Sequence, residues 1–397
     1  MANALDGIRV LDFSRMYGGP FGTMLLAELG ADVIKVELVE VGDAVRTLPP
    51  MTEGMESYIF VILNRGKRSI TLNLNSEEGR RICRELVARC DVLVENFTPG
   101  VMEKLGLGYE ELKTANPRLI YTSISGFGHT GPQRDRVAFD TVVQAMGGLI
   151  SVNGHRNAPP TKVAPAIADF LGGMYGIISI QAALQHRQRT NEGQFIDVSM
   201  QDCIWAMIAI QFLPGYVLTG QEPQKLGNRQ IECTPFSIYP TKDGNVVIAV
   251  VTVGQWQRFL EVIGREDLKN VPEYTTQNTR IRYADEMDDM VAQWTKEKTV
   301  NEVLSLLTAA DLPCAAVPTF SQVANDEQLA YRNMQLEVEQ IISGKLKVPG
   351  SPFKMSRTPG DAGRAAPFLG QHNFEVYSEL LGYDAETIDR LQSQGII

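Results

Sequence analysis

Cysteine, histidine and tryptophan are scarce in this chain. Its five cysteines, Cys83, Cys90, Cys203, Cys233 and Cys314, are odd in number and form no Cys-x-x-Cys pair, and only four histidines occur in 397 residues. This argues against a disulfide framework and a zinc or other metal site, and it suits a reducing, cytoplasmic setting. Long apolar runs are also missing: the longest, near Leu171–Leu184, is interrupted by Gly, Tyr, Ser and Gln, and reads as a buried helix rather than a membrane span. The opening MANALDGIRVLDF has no basic stretch ahead of an apolar one, so no signal peptide is expected. Positive charge is the minority sign. With 37 Lys+Arg against 47 Asp+Glu the net charge is −10. No whole-molecule field therefore draws nucleic acid or an anionic membrane, and an anionic ligand must be held locally.

What is present is an ordinary globular composition, 44% hydrophobic and 21% charged. The length exceeds the roughly 250 to 300 residues at which one core stops growing, which predicts two domains. Ile8–Phe13, Asp32–Glu37, Ser69–Asn73, Asp91–Glu95, Leu119–Ser125 and Phe195–Ser199 are short apolar runs separated by helical patterns. Strands apolar on both faces and alternating with helices predict an α/β fold, a doubly wound parallel sheet. A Pro- and Gln-rich stretch from Gln221 leads into a hairpin signal around Lys242-Asp243-Gly244, then helices, one opened by the capping-box pattern Thr299-x-x-Glu302. Residues 1–220 with 330–397 are expected to form the large domain, and 221–329 a smaller α+β domain.

The loop SRMYGGPFG after the first strand lacks the G-x-G-x-x-G spacing of a dinucleotide fingerprint, so its glycines read as turn-makers. In APAIADFLGGMYG, Asp169 stands just ahead of an apolar helix with Gly172 and Gly173 in the first turn. It reads as an N-cap whose carboxylate the helix amides keep ionised, ready to attack a thioester, with the glycines leaving room for a substrate carbonyl. Asn96-Phe97 ends a strand, where open α/β sheets bind ligands. Arg65-Gly66-Lys67-Arg68, with Arg46 and Lys104, is either a solvated face or a phosphate site, and His129 reads as a satisfied or solvent-exposed loop imidazole rather than a catalytic one.

The segments LDGIRVLDF, GADVIKVE, NRGKRSITLNL, DVLVENFTPG, NPRLIYTSISGFG, the Asp169 stretch, GQFIDVSMQD and PFLGQHN follow one another in order along nearly the whole chain. The set resembles the class III coenzyme A transferases of the CaiB/BaiF type, which include formyl-CoA transferase and carnitine CoA-transferase. The resemblance implies a Rossmann-like large domain built from both chain ends and two interlocked subunits, a homodimer or a heteromer with a paralogue. It implies coenzyme A and acyl-CoA as substrates rather than tightly bound cofactors, an acyl-CoA donor such as succinyl-CoA, and a carboxylic acid acceptor. Asp169 matches the catalytic aspartate, which passes through an aspartyl anhydride and an aspartyl-CoA thioester. Asn96, Phe97, Lys104 and Met200 fall on CoA-contact positions. Leu38 and Val137 replace basic contacts of the formyl-CoA enzymes, so Arg46, Lys67, Arg134 or Arg136 are expected to rebuild them. The glycine-rich loop of those enzymes is missing, which weighs against oxalate. Tyr17 and Phe139, beside Gly172, hint at a non-polar acceptor. An α-methylacyl-CoA racemase is the alternative in the same superfamily, but Phe139 stands where its histidine would be and cannot relay a proton. A non-catalytic CoA-binding partner subunit is the other.

Overall fold

Six short apolar segments pair side by side in the computed structural model, which describes residues 3–397. They are β1 (Arg9–Asp12), β2 (Asp32–Glu37), β3 (Arg68–Thr71), β4 (Val92–Glu95), β5 (Ile120–Ser125) and β6 (Gln194–Ser199), all parallel, in the order β3-β2-β1-β4-β5-β6. Val10, Leu11, Ile34, Val92 and Leu93 are fully buried, as strands covered by helices on both faces require. The chain winds outward in both directions from the β1/β4 pair, so the loops that follow these two strands diverge. Such a reversal of strand order leaves a crevice at the carboxyl ends of the strands.

The helices met along this part of the chain are α1 (Gly18–Glu28), α2 (Tyr58–Asn64), α3 (Glu77–Val87), α4 (Val101–Lys104), α5 (Tyr109–Ala115), α6 (Asp140–Met146), α7 (Leu149–Val152), of which only Leu149 belongs to the unit of the sheet, α8 (Ile167–Thr190) and the first part of α9 (Met200–Thr219). Helix α6 stops after Met146, and α7 starts only at Leu149. Gly147 lies so close to Ile204 that a Cβ there would be 2.6 Å from Cγ2, and Gly148 takes a left-handed φ of +89°. Helix α8 is a core helix: Gly172 and Gly176 let it approach β5 and Gly173 lets it approach α1.

The division into units differs from the expected one. One unit takes the chain through Leu149, Lys162–Ile208 and Glu327–Ile397, and the other takes Ile150–Thr161 and Ala209–Asp326. The boundary falls inside α9 rather than at residue 220, and 150–161 joins the second unit. The Gly227 amide donates to the Gly154 carbonyl at 3.0 Å and Lys225 donates to the Ala158 carbonyl, which tie that segment down. The second unit carries β7 (Phe236–Pro240), β8 (Asn245–Ala249) and β9 (Cys314–Ala316), all antiparallel, over a core of Trp256, Phe259, Met287, Val291 and Leu307. Thr299 and Glu302 form the predicted capping box.

The C-terminal segment contributes the hairpin β10 (Gln335–Gln340) and β11 (Gly344–Pro349), then a helix over Asn373–Leu381. Asn373 donates to the Thr71 hydroxyl and Tyr377 to the Thr71 carbonyl, both at 2.8 Å, so residues from both ends of the chain pack in one unit.

Candidate active site

The loop that leaves β1 is shaped by charges with no access to water. Asp12 is fully buried at the end of β1, and its carboxylate accepts from the Ser14 amide at 3.0 Å, the Thr23 hydroxyl at 2.6 Å and Lys67 Nζ at 3.0 Å. Lys35, equally buried, donates to the Ser14 carbonyl and pairs with Asp43, each at 2.9 Å, and Asp43 accepts the Met16 amide at 3.2 Å. Asn96, just past β4, accepts the Arg15 amide and donates to the Arg15 carbonyl, both at 2.8 Å. Residues 14–18 are thus clamped from below and from the β4 side, with Met16 held at a φ of +64°. Gly19 makes the turn into α1: a Cβ there would sit 2.2 Å from Ser14 Cβ.

This arrangement corrects two assignments. Lys67 is not a phosphate ligand: it also donates to the Pro20 carbonyl, Thr23 and Asn64, is 4% exposed, and burial, only partly offset by Asp12, lowers its amine to about 8. Arg46 is engaged by Glu37 through two bonds of 2.7 Å and stacks on Phe60 at 3.7 Å. The rest of the basic cluster is likewise absorbed, Arg65 by Glu28 and Arg68 by Asp32, Glu375 and Glu379. Apart from Lys104, which is exposed, the cluster is neither a solvated face nor a phosphate site.

Asp169 lies at the third position of α8, not at its N-cap, which is Ala166. The capping carboxylate comes from elsewhere: Asp140, at the start of α6, accepts the Ala168 amide at 2.8 Å and Gln144 Nε2 at 2.7 Å. The Asp169 carboxylate is half-buried against Gly18 and, among the described residues, accepts no hydrogen bond. Burial first, and the Asp140 charge second, push it up to about 7. The sequence reading of a carboxylate kept ionised by helix amides is therefore reversed, since desolvation dominates here.

A cavity of about 560 Å³ opens at the carboxyl ends of β1, β4 and β5. It gathers Asp169, Asn96, Phe97, Met200, Tyr17 and Phe139 of the expected set, together with Arg134, Arg136 and Val137. Lys104 is exposed on α4 and lies outside it. Gly172 also lies outside: a Cβ there would meet Met200 Cγ at 3.0 Å and Ile124 Cγ2 at 3.1 Å, so its smallness serves helix packing rather than substrate room. Sequence reasoning missed Arg15, Lys162 and the role of Asp140. For Arg15 the signal was there, since the first residues after a parallel strand at a strand-order reversal face the ligand crevice.

Glu95, buried at the end of β4, accepts the Phe97 amide at 2.8 Å and so fixes the cavity wall. Burial raises it to about 7, against the pull of Ser123 and that amide. His129 contacts Ser123 Oγ at 2.7 Å and meets Phe195 edge-on, a satisfied imidazole as expected. No histidine is among the described residues that line the cavity.

The family described as CoA-transferase family III matches residues 5–373. The chain is 38% identical over 399 residues to the succinyl-CoA:mesaconate CoA-transferase of Haloarcula marismortui, covering 98% of this chain and 99% of that one. It is 36% identical over 394 residues to the succinate–glutarate CoA-transferase of Agrobacterium fabrum, covering 97% and 96%. A crystal structure of a CaiB/BaiF family protein from Brucella suis superposes with a TM-score of 0.83 at 34% identity, over 96% of this chain and all of that one.

Proposed function

Because the chain belongs to CoA-transferase family III, and is therefore a CoA-transferase that acts on CoA thioesters, we propose that it moves coenzyme A from succinyl-CoA to a free carboxylic acid through Asp169. The observation that carries this reading is a half-buried carboxylate with no hydrogen-bond donor among the described residues, in the cavity at the crevice where the sheet reverses. Relatives named for succinyl-CoA or succinate support the donor.

The steps balance as acyl exchanges. The Asp169 carboxylate attacks the thioester carbon, the C–S bond breaks, and a succinyl-aspartyl anhydride forms with CoA thiolate as leaving group. The thiolate attacks the aspartyl carbonyl, releasing succinate and leaving an aspartyl-CoA thioester. The acceptor carboxylate attacks that thioester and expels the thiolate again. Attack of the thiolate on the acceptor's acyl carbon then gives the new acyl-CoA and restores Asp169. Partial desolvation leaves the carboxylate under-stabilised by its surroundings and so a better nucleophile once ionised. Asn96, Phe97 and Met200 would contact the CoA, with Arg134 and Arg136 as exposed cations at the rim. With Phe139 in the wall and no imidazole beside it, the cavity does not favour the α-proton transfer of a racemase.

The exposed apolar residues Ile210, Val217 and Leu218, in the second unit's part of α9, support a second copy of this chain as partner, in a cytoplasmic homodimer, with apolar side chains that association would cover. A monomeric mass by light scattering would overturn that part.

The test is chromatography of CoA thioesters after incubation with succinyl-CoA and a panel of acids, with hydroxylamine added to convert an acylated Asp169 to its hydroxamate. A new acyl-CoA and a hydroxamate on the Asp169 peptide are expected. Undiminished transfer by Asp169→Asn would refute the assignment.

A further inference from the structure

Among the described residues, the cation of Arg15 in the cavity wall meets no acceptor. Arg15 is half-buried in the wall, and its guanidinium carbon lies 4.9 Å from the centre of the Phe97 ring. Stacking on an aromatic face fixes the plane of a guanidinium and leaves its N–H edge free to bond in that plane. Among the described residues no oxygen accepts from that edge. The two carboxylates whose charge acts on it, Asp43 and Glu37, are held by Lys35 and Arg46. The other cations of the lining differ: Arg134 faces Asp135 at 3.9 Å, Arg136 donates to Gln133 at 3.4 Å, Lys162 donates to the Ala164 carbonyl at 3.2 Å, and all three are exposed.

A guanidinium withdrawn from water without an acceptor is destabilising, and a carboxylate that meets its fork with two parallel bonds removes that cost. Electrostatics at the nucleophile ask for the same partner. Asp140 already raises Asp169, and an acceptor carboxylate brought to the same point adds a further negative charge. An acid with a second carboxylate would be repelled twice unless that end met a cation. Distance permits it: Asp169 packs on Gly18, and Arg15 is three residues earlier on the same loop, a span of at most about 11 Å of extended chain.

Resting on the transfer reading above, we infer that the acceptor is a short dicarboxylate and that Arg15 grips the carboxylate that does not react. Arg15 is then a specificity-determining residue, and the non-polar acceptor hinted at by Tyr17 and Phe139 is not the preferred one.

The shared chemistry is recognition of an anion, which the CoA phosphates could also supply, and a competition assay separates the two sources. Wild-type protein and Arg15→Gln receive succinyl-CoA with equimolar glutarate and valerate, acids of equal chain length, and the ratio of the two thioesters formed is read. Donor and CoA are common to both products, so their contributions cancel. Wild-type protein is expected to favour glutarate, and Arg15→Gln to lower the ratio about 10- to 100-fold. Arg15→Lys, which keeps the charge without the fork, is expected to fall between. An unchanged ratio in both variants, or an equal loss of both products with weaker CoA binding, overturns the assignment and gives Arg15 to the phosphates. Preference of the wild type for valerate overturns it too. If the wild type forms neither thioester, nor one from any other acid, the transfer reading itself falls and the Arg15 assignment with it.

Discussion

Replacing Asp169 by asparagine should stabilise the protein while it abolishes transfer. The side chain is half-buried beside Asp140, and its carboxyl is held up at about 7 against an ordinary 3.8. A carboxyl whose folded value is raised gives up stability as pH climbs. Below the unfolded value both states are protonated and nothing is lost. Between about 4 and 7 the unfolded chain releases its proton and the folded one does not, and above 7 the full penalty is present. Three units correspond to about 4 kcal/mol, and partial solvation brings the realistic figure to about 2 to 4 kcal/mol. Asparagine keeps the shape without the charge. Unfolding of the unit that holds α8, followed by urea titration at pH 5, 6, 7 and 8, should show a gain for Asp169→Asn that is small at pH 5 and reaches its plateau by pH 8. CoA transfer should fall by at least about three orders of magnitude at every pH. A gain of the same size at pH 5 and pH 8, or a loss at pH 8, would refute desolvation as the origin of the shift.

Two further outcomes follow from the same geometry. Asp140→Asn keeps an oxygen for the Ala168 amide but removes the charge beside Asp169, so the rising limb of the pH–rate profile, expected near 7 in the wild type, should move to lower pH. A limb that stays put would mean Asp140 acts only as a cap. Lys67→Met should destabilise by about 3 to 5 kcal/mol by stranding the buried Asp12. A folded variant with intact stability and a selectively raised KM for acyl-CoA would restore Lys67 to the phosphate site.

The fold class was legible because a parallel sheet covered on both faces leaves a one-dimensional mark, continuous apolar runs at helix-length intervals. Val10, Ile34 and Leu93 announce burial by their neighbours in sequence. Asn96 and Phe97 were legible for a related reason, since chain order alone puts them at a strand end. Lys67 was misread because a basic run on paper does not say which side chains meet a carboxylate, and Asp12 lies 55 residues away. Gly172 was misread because space around a glycine is set by what packs on it, here Met200 and Ile124.

By itself the sequence determined the strands, the helices, the carboxylate at the head of α8 and the family that its ordered motifs define. These depend on local periodicity and on residue identity. Only the tertiary structure decided which charges are free to meet a ligand. Arg46, Arg65, Lys67 and Arg68 are neutralised by carboxylates on other elements, and among the described residues no oxygen fills the fork of Arg15. It also decided the ionisation of Asp169, because desolvation and the Asp140 charge come from packing α8 against α1 and α6. Burial and charge pairing are sums over neighbours in space, and chain order does not contain them.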